Sequence, residues 1–169
     1  MRLVVSQDNK AFKLEQVRSK VEYLKMTEIL DCFKEEGQTI LFMLPESWLK
    51  HFGNALTNFV EDRVVTTTRE YISPRIGYRD EATLYWFRID NIDDFNEMCT
   101  LIRRDQFLCV VVEKNDSPKD YIFHIDLGEF GKLVILEKRE GDFLKTVLPR
   151  IKKIIPNIVQ EAATEDEEY

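Results

Sequence analysis

Between Thr39 and Leu44 the chain reads Thr-Ile-Leu-Phe-Met-Leu without a single charge, and Pro45 closes the run. Six such residues are too few for an ordinary helix, and they leave no polar face to turn toward water. The run predicts a buried strand. The rest of the chain must therefore supply elements that cover it.

Those elements are visible on both sides. From about residue 11 to Glu36, Val17, Val21, Leu24, Ile29 or Leu30, and Phe33 recur at helical steps, and Gly37 offers a stop. Helix is the stronger reading of this segment, with the second arm of a hairpin as the alternative for its first turn. After Pro45 a second helix is expected to about Asp62, with Trp48, Leu49, Phe52, Leu56, Phe59 and Val60 as its stripe. Strands are expected at 63–72, 83–89, 107–113, 121–127 and 132–138, and a helix at 92–104. A last helix starts at Asp142, with Pro149 and Pro156 kinking it or delaying its start. Segments beginning near Thr39, Thr83 and Lys132 share one grammar, an apolar strand, a polar cap and an amphipathic helix, and the first two align loosely. Two such units coincide easily, so no internal repeat is read from them.

This order predicts an α+β fold: one domain over 1–159, with a mainly antiparallel sheet of about six strands and about four helices on one face. Residues 160–169, Gln-Glu-Ala-Ala-Thr-Glu-Asp-Glu-Glu-Tyr, have little to bury and read as a disordered acidic tail. Glu161, Glu165, Asp166, Glu167 and Glu168 account for most of the net charge of −7, so the body is nearly neutral. A neutral body carries no broad electrostatic footprint for nucleic acid or an anionic membrane. Cys32, Cys99 and Cys109 are irregularly spaced within apolar stretches, which predicts buried thiols and a reducing, cytoplasmic compartment. No apolar run reaches the ~20 residues of a membrane span, and the N-terminus lacks the form of a signal peptide.

Several groupings could carry chemistry. Asp90, Asp93, Asp94 and Glu97 share a helical face on which carboxylates could converge on a divalent cation, although a cap at Asp90 with first-turn acids explains them better. His124 and Asp126 alternate onto one side of their strand, with Cys109 as the only nucleophile in reach. Asp126 and Glu137 on successive strands suggest a magnesium nuclease, but Arg139 stands where a lysine is needed, and arginine does not release a proton. There is no Gly-rich phosphate loop and no hydrolase or zinc motif. No cofactor is expected, and catalysis is the weaker expectation.

Binding is the stronger one. Arg69, Tyr71, Arg75, Tyr78, Arg79, Tyr85, Trp86 and Arg88 concentrate the residue types that dominate protein interfaces. Lys145, Arg150, Lys152 and Lys153 offer a smaller basic face for nucleic acid. The tail residues Asp166, Glu167, Glu168 and Tyr169 could attract a basic partner, and Glu167-Glu168-Tyr169 resembles the acidic-aromatic end of α-tubulin over three residues. The leading expectation is a small intracellular protein-binding module or inhibitor, of the profile shared by immunity proteins, antitoxins, phage inhibitors and secretion chaperones. Its partner is another protein, and a homo-oligomer is compatible. A nucleic-acid-associated protein and a metal-dependent hydrolase are the alternatives.

Overall fold

The uncharged run is the axis of the fold in the computed structural model, which describes residues 2–5, 11–15, 27–72, 80–102, 107–113, 117–127, 133–137, 146–155 and 160–162. It forms β3 (Gln38–Pro45), hydrogen-bonded on one side to β5 (Asp80–Arg88) and on the other to β6 (Phe107–Glu113), both antiparallel. The remaining strands are β1 (Arg2–Val5), β2 (Ala11–Glu15), β4 (Val64–Ile72), β7 (Phe123–Leu127), β8 (Leu133–Glu137) and β9 (Gln160–Ala162). Together they make one sheet in the order β4-β5-β3-β6-β7-β8-β2-β1-β9. Among the described residues every neighbouring pair is antiparallel except β1 with β9.

The described part of helix α1 is 27–31, and turns at Cys32, Phe33 and Lys34 lead to Gly37, whose φ of 81° lets the chain reverse into β3. Between β3 and β4 come α2 (Glu46–Phe52) and α3 (Asn54–Glu61). Between β5 and β6 comes α4 (Ile92–Ile102), and α5 (Leu148–Ile154) follows β8. A 3-10 turn, Pro118–Asp120, links β6 to β7. From β3 to β6 the chain is thus β-α-β-β-α-β with the strands ordered β4-β5-β3-β6, the split β-α-β arrangement of ferredoxin-like folds. The two strand–helix units of like grammar, at Thr39 and Thr83, are the matching halves of this unit, and their strands lie side by side with Phe42 opposite Phe87.

The helices pack on one face. Ile40, Phe42 and Leu44 of β3 join Phe87, Cys109, Val111 and Ile125 in a core with Leu56 and Phe59 of α3, Phe95 and Met98 of α4, and Ile151 of α5. Phe42 touches Phe87 and Phe95 at centroid distances of 6.1 and 5.9 Å, and Phe59 meets Phe87 edge-on at 6.4 Å. Burying each such ring stabilises the fold by about 1.5–3 kcal/mol, so this aromatic knot is what holds α3 and α4 to the sheet. The opposite face is closed as well. Leu41, Leu84, Trp86, Val110 and Val112 form a second cluster, all at most 5% exposed. An uncharged β3 is what both clusters require.

The structure corrects several boundaries. Residues 11–15 are a strand, the second arm of a hairpin with β1, rather than the start of a helix. The expected helix from Pro45 to Asp62 is two, broken at Gly53. The described part of the last helix is Leu148–Ile154, with Pro149 in its first turn, and the expected start at Asp142 lies outside the described residues. Gln160–Ala162, expected as disordered tail, form β9 against β1. Three added strands, β1, β2 and β9, raise the sheet from about six to nine among the described residues. No helix there is long and apolar enough to cross a membrane.

Candidate binding surfaces

β4 is an edge strand, and among the described residues it pairs with β5 alone. Its sequence, Val-Val-Thr-Thr-Thr-Arg-Glu-Tyr-Ile, is β-branched for five consecutive residues, which suits an extended backbone. Val64 and Val65 are 36% and 39% exposed, and the register shifts between Val64 and Thr66. Thr67, Arg69 and Glu70 are also exposed. Arg69 reaches Glu81 on β5 at 3.9 Å, an exposed pair of little energetic weight.

The aromatic–arginine segment is therefore only partly a surface. Trp86 lies in the second core cluster and donates its Nε1–H to Thr68 Oγ1 at 2.8 Å. It fixes β5 to β4 from inside and is withdrawn as a contact residue. Tyr85, on the alternate face, packs half-buried against the helix-side core. Arg88 is half-buried, opposite Leu41. Arg69 alone of that set is a described, exposed side chain. The Tyr71 backbone stands opposite Glu81, while Arg75, Tyr78 and Arg79 lie outside the described residues.

A cleft lies on the helix side of the sheet. The segment Thr27 to Lys34 forms one wall, and the turn from Ile89 to Ile92 forms the other. Thr39, Ile40, Phe42 and Phe95 form the floor of this cleft of about 360 Å³. Among the described residues its lining carries Glu28, Asp31 and Asp90 and one base, Lys34, which sits 3.9 Å from Asp31.

The acids of α4 do not assemble a metal site. Asp94 is held by Arg63, with Nη2 at 3.1 Å and Nε at 3.5 Å, and both side chains are about three-quarters buried. Arg63 also donates to the Phe59 carbonyl and lies 3.9 Å over the Phe59 ring, so it rivets the end of α3 to the start of α4. The cap is Asn91, whose Oδ1 accepts the Asp94 N–H at 2.9 Å; Asp90, expected in that role, stands one residue outside. Asp93 and Glu97 point to solvent. No cluster of potential metal ligands occurs among the described residues.

The proposed nucleophilic arrangement fails on register. Cys109 is opposite Ile125 and fully buried on the helix side, whereas His124 is opposite Val110 on the other face, with its ring 5.7 Å from Tyr121. Asp126 stands opposite Val134 and Glu137 opposite Phe123, three steps apart along the ladder and of opposite parity. On α5, Lys152 and Lys153 are exposed, and Arg150 donates to the Cys32 carbonyl at 3.4 Å. Lys145 and the tail residues Asp166, Glu167, Glu168 and Tyr169 lie outside the described residues, as does Arg139. Comparison with known proteins finds no matching family model, no significantly similar curated protein and no significantly similar solved structure.

Proposed function

We propose that the protein is a protein-binding module that takes up an extended segment of a partner along β4. The observation that carries this reading is the edge itself: nine residues long, β-branched, and exposed at Val64, Val65 and Thr67. An edge strand presents a row of backbone donors and acceptors, and proteins usually blunt such edges by shortening or bulging them or by placing charges or proline on them. β4 has no lysine or proline, its register shift is confined to Val64/Thr66 and its charges to Arg69 and Glu70, and the opposite edge, β9, is three residues long among the described residues. Strand addition draws affinity from backbone hydrogen bonds and specificity from alternate side chains. Val65 and Thr67 offer apolar and β-branched contacts, and Arg69 and Glu70 offer one charge of each sign.

The test is hydrogen exchange on the full chain, free and loaded with the partner it captures from lysate. Strand addition slows exchange at the backbone amides of residues 64–72, and Val65→Lys with Thr67→Lys abolishes capture while leaving the melting temperature unchanged. Protection elsewhere, or capture indifferent to these substitutions, rejects the edge. Protection of β4 by a second copy of the chain, seen as a dimer by sedimentation, replaces the foreign partner with self-association.

A further inference from the structure

We infer that the occupant of the β4 edge is β4 of a second copy of this chain, paired antiparallel about a two-fold axis through Thr68. The inference rests on the reading of β4 as a binding edge and names what fills it. A two-fold pairing makes one demand of a strand: wherever residue i meets j, j must meet i, so the sequence must complement itself when reversed. β4 does so in polarity. Val64 and Val65 open it, Tyr71 and Ile72 close it, and the polar residues between them are centred on Thr68. The register against β5 shifts between Val64 and Thr66 and is regular beyond, so the uninterrupted polar stretch, 66–70, is itself centred on Thr68.

Face and charge select the same centre. A two-fold axis perpendicular to the sheet keeps each side chain on its own face, so it passes through a residue and not between two. Thr67 and Arg69 stand opposite Tyr85 and Thr83, on the helix-side face, while Thr66, Thr68 and Glu70 stand opposite Trp86, Leu84 and Ala82, on the other. Centring on Arg69 or Glu70 would set like charges directly opposite, which destabilises a pair. Centring on Thr67 sets the exposed Val65 against Arg69 and leaves Tyr71 and Ile72 outside the pairing, and centring on Thr66 leaves out everything beyond Thr68. Thr68 alone pairs the strand end to end. Thr67 then meets Arg69, Thr66 meets Glu70, and the apolar end positions meet each other. Each Arg69 keeps Glu81 of its own chain at 3.9 Å, which offsets the approach of the two guanidiniums on either side of the axis. The pairing covers Val64 and Val65 and joins both sheets into one, with the helices of both copies on the same face.

Sedimentation of the full chain from about 1 to about 500 µM should show a reversible dimer with a Kd of about 1–100 µM, as suits an interface built on one strand pair. Its register is read by cysteine cross-linking. Residues directly opposite lie about 4.5–5.5 Å apart between Cα atoms, within reach of a disulfide, and diagonal ones lie beyond it at about 7–8 Å. Chains carrying Thr67→Cys mixed with chains carrying Arg69→Cys should therefore cross-link on mild oxidation about ten-fold more than either variant alone or the parent chain. Thr67→Lys sets a lysine opposite Arg69 of the other copy on both sides of the axis, and should weaken the dimer about ten-fold. A chain that stays monomeric at about 500 µM overturns the inference, as does a dimer in which the mixture cross-links no better than its components. Hydrogen exchange separates this failure from that of the edge itself. A monomer protected at residues 64–72 by a foreign segment removes the second copy and keeps the edge, whereas a monomer never protected there removes both.

Discussion

Cys32 shows how a single side chain is fixed by what surrounds it. It is buried at the end of α1, and its Sγ–H donates to the Glu28 carbonyl at 3.3 Å. Burial pushes its thiol above the ordinary value; Arg150 opposes the shift, while Asp31 and Glu28 add to it. A raised pKa means that the native state keeps its proton at a pH where the unfolded thiol has lost it. The unfolded state then binds fewer protons, so stability declines as pH climbs. The contribution is fully present below the ordinary thiol range and is lost as pH rises through the folded value. Urea unfolding between pH 7 and about 10 should show this decline, and Cys32→Ala should flatten it. A slope unchanged by that substitution would assign the decline to other groups. The same residue illustrates what was legible: its apolar neighbours announced a buried thiol, whereas its contact with Arg150, 118 positions away, could not be read from either segment.

At the scale of elements, patterns repeating within one segment were legible and partners set by the fold were not. The stripe from Trp48 to Val60 reads as one helix because both of its parts bury apolar residues on the same side. Gly53 divides it with φ 90° and ψ −177°, a conformation essentially confined to glycine. Thr57 then ties the two pieces together, donating its hydroxyl to the carbonyls of Leu49 and Gly53, both at 3.3 Å. A methyl group at position 53 would meet nothing within 4 Å, so the effect of Gly53→Ala isolates backbone strain from packing. The expected cost is about 1–3 kcal/mol, with the melting temperature falling about 2–4 °C per kcal/mol at this length. A neutral or stabilising result would show that α2 and α3 rejoin as one helix. On β5 the difficulty was different. Leu84, Tyr85, Trp86 and Phe87 are apolar on both faces, so composition could not say that Trp86 points into a core. The cleft was hidden for a third reason: its walls come from segments near residues 30, 40 and 90, which meet only in the folded chain.

The whole molecule is an asymmetric extension of a symmetric unit. The two β-α-β halves interlock at β3 and β5, and the sheet then grows only past β6, through β7, β8, β2, β1 and β9. Growth on one side is what leaves β4 as a long edge, and it ends where Gln160–Ala162 lie parallel to Leu3–Val5. The acidic end of the chain is thus anchored before it becomes wholly polar, and the position of any truncation decides what it tests. A chain ending at Ala162 removes most of the acids and keeps β9, so it should unfold in urea at the same midpoint as the full chain. A chain ending at Val159 also removes β9 and uncovers the backbone of β1. With a net gain of about 0.5–1.5 kcal/mol per hydrogen bond, it should lose about 1–3 kcal/mol and associate more readily through the new edge. Partner capture through β4 should survive both cuts, because that edge lies at the far side of the sheet. Capture lost at Ala162 would move the interface to the acidic tail. Equal stability of the two truncated chains would show that β9 merely lies along β1 without holding it.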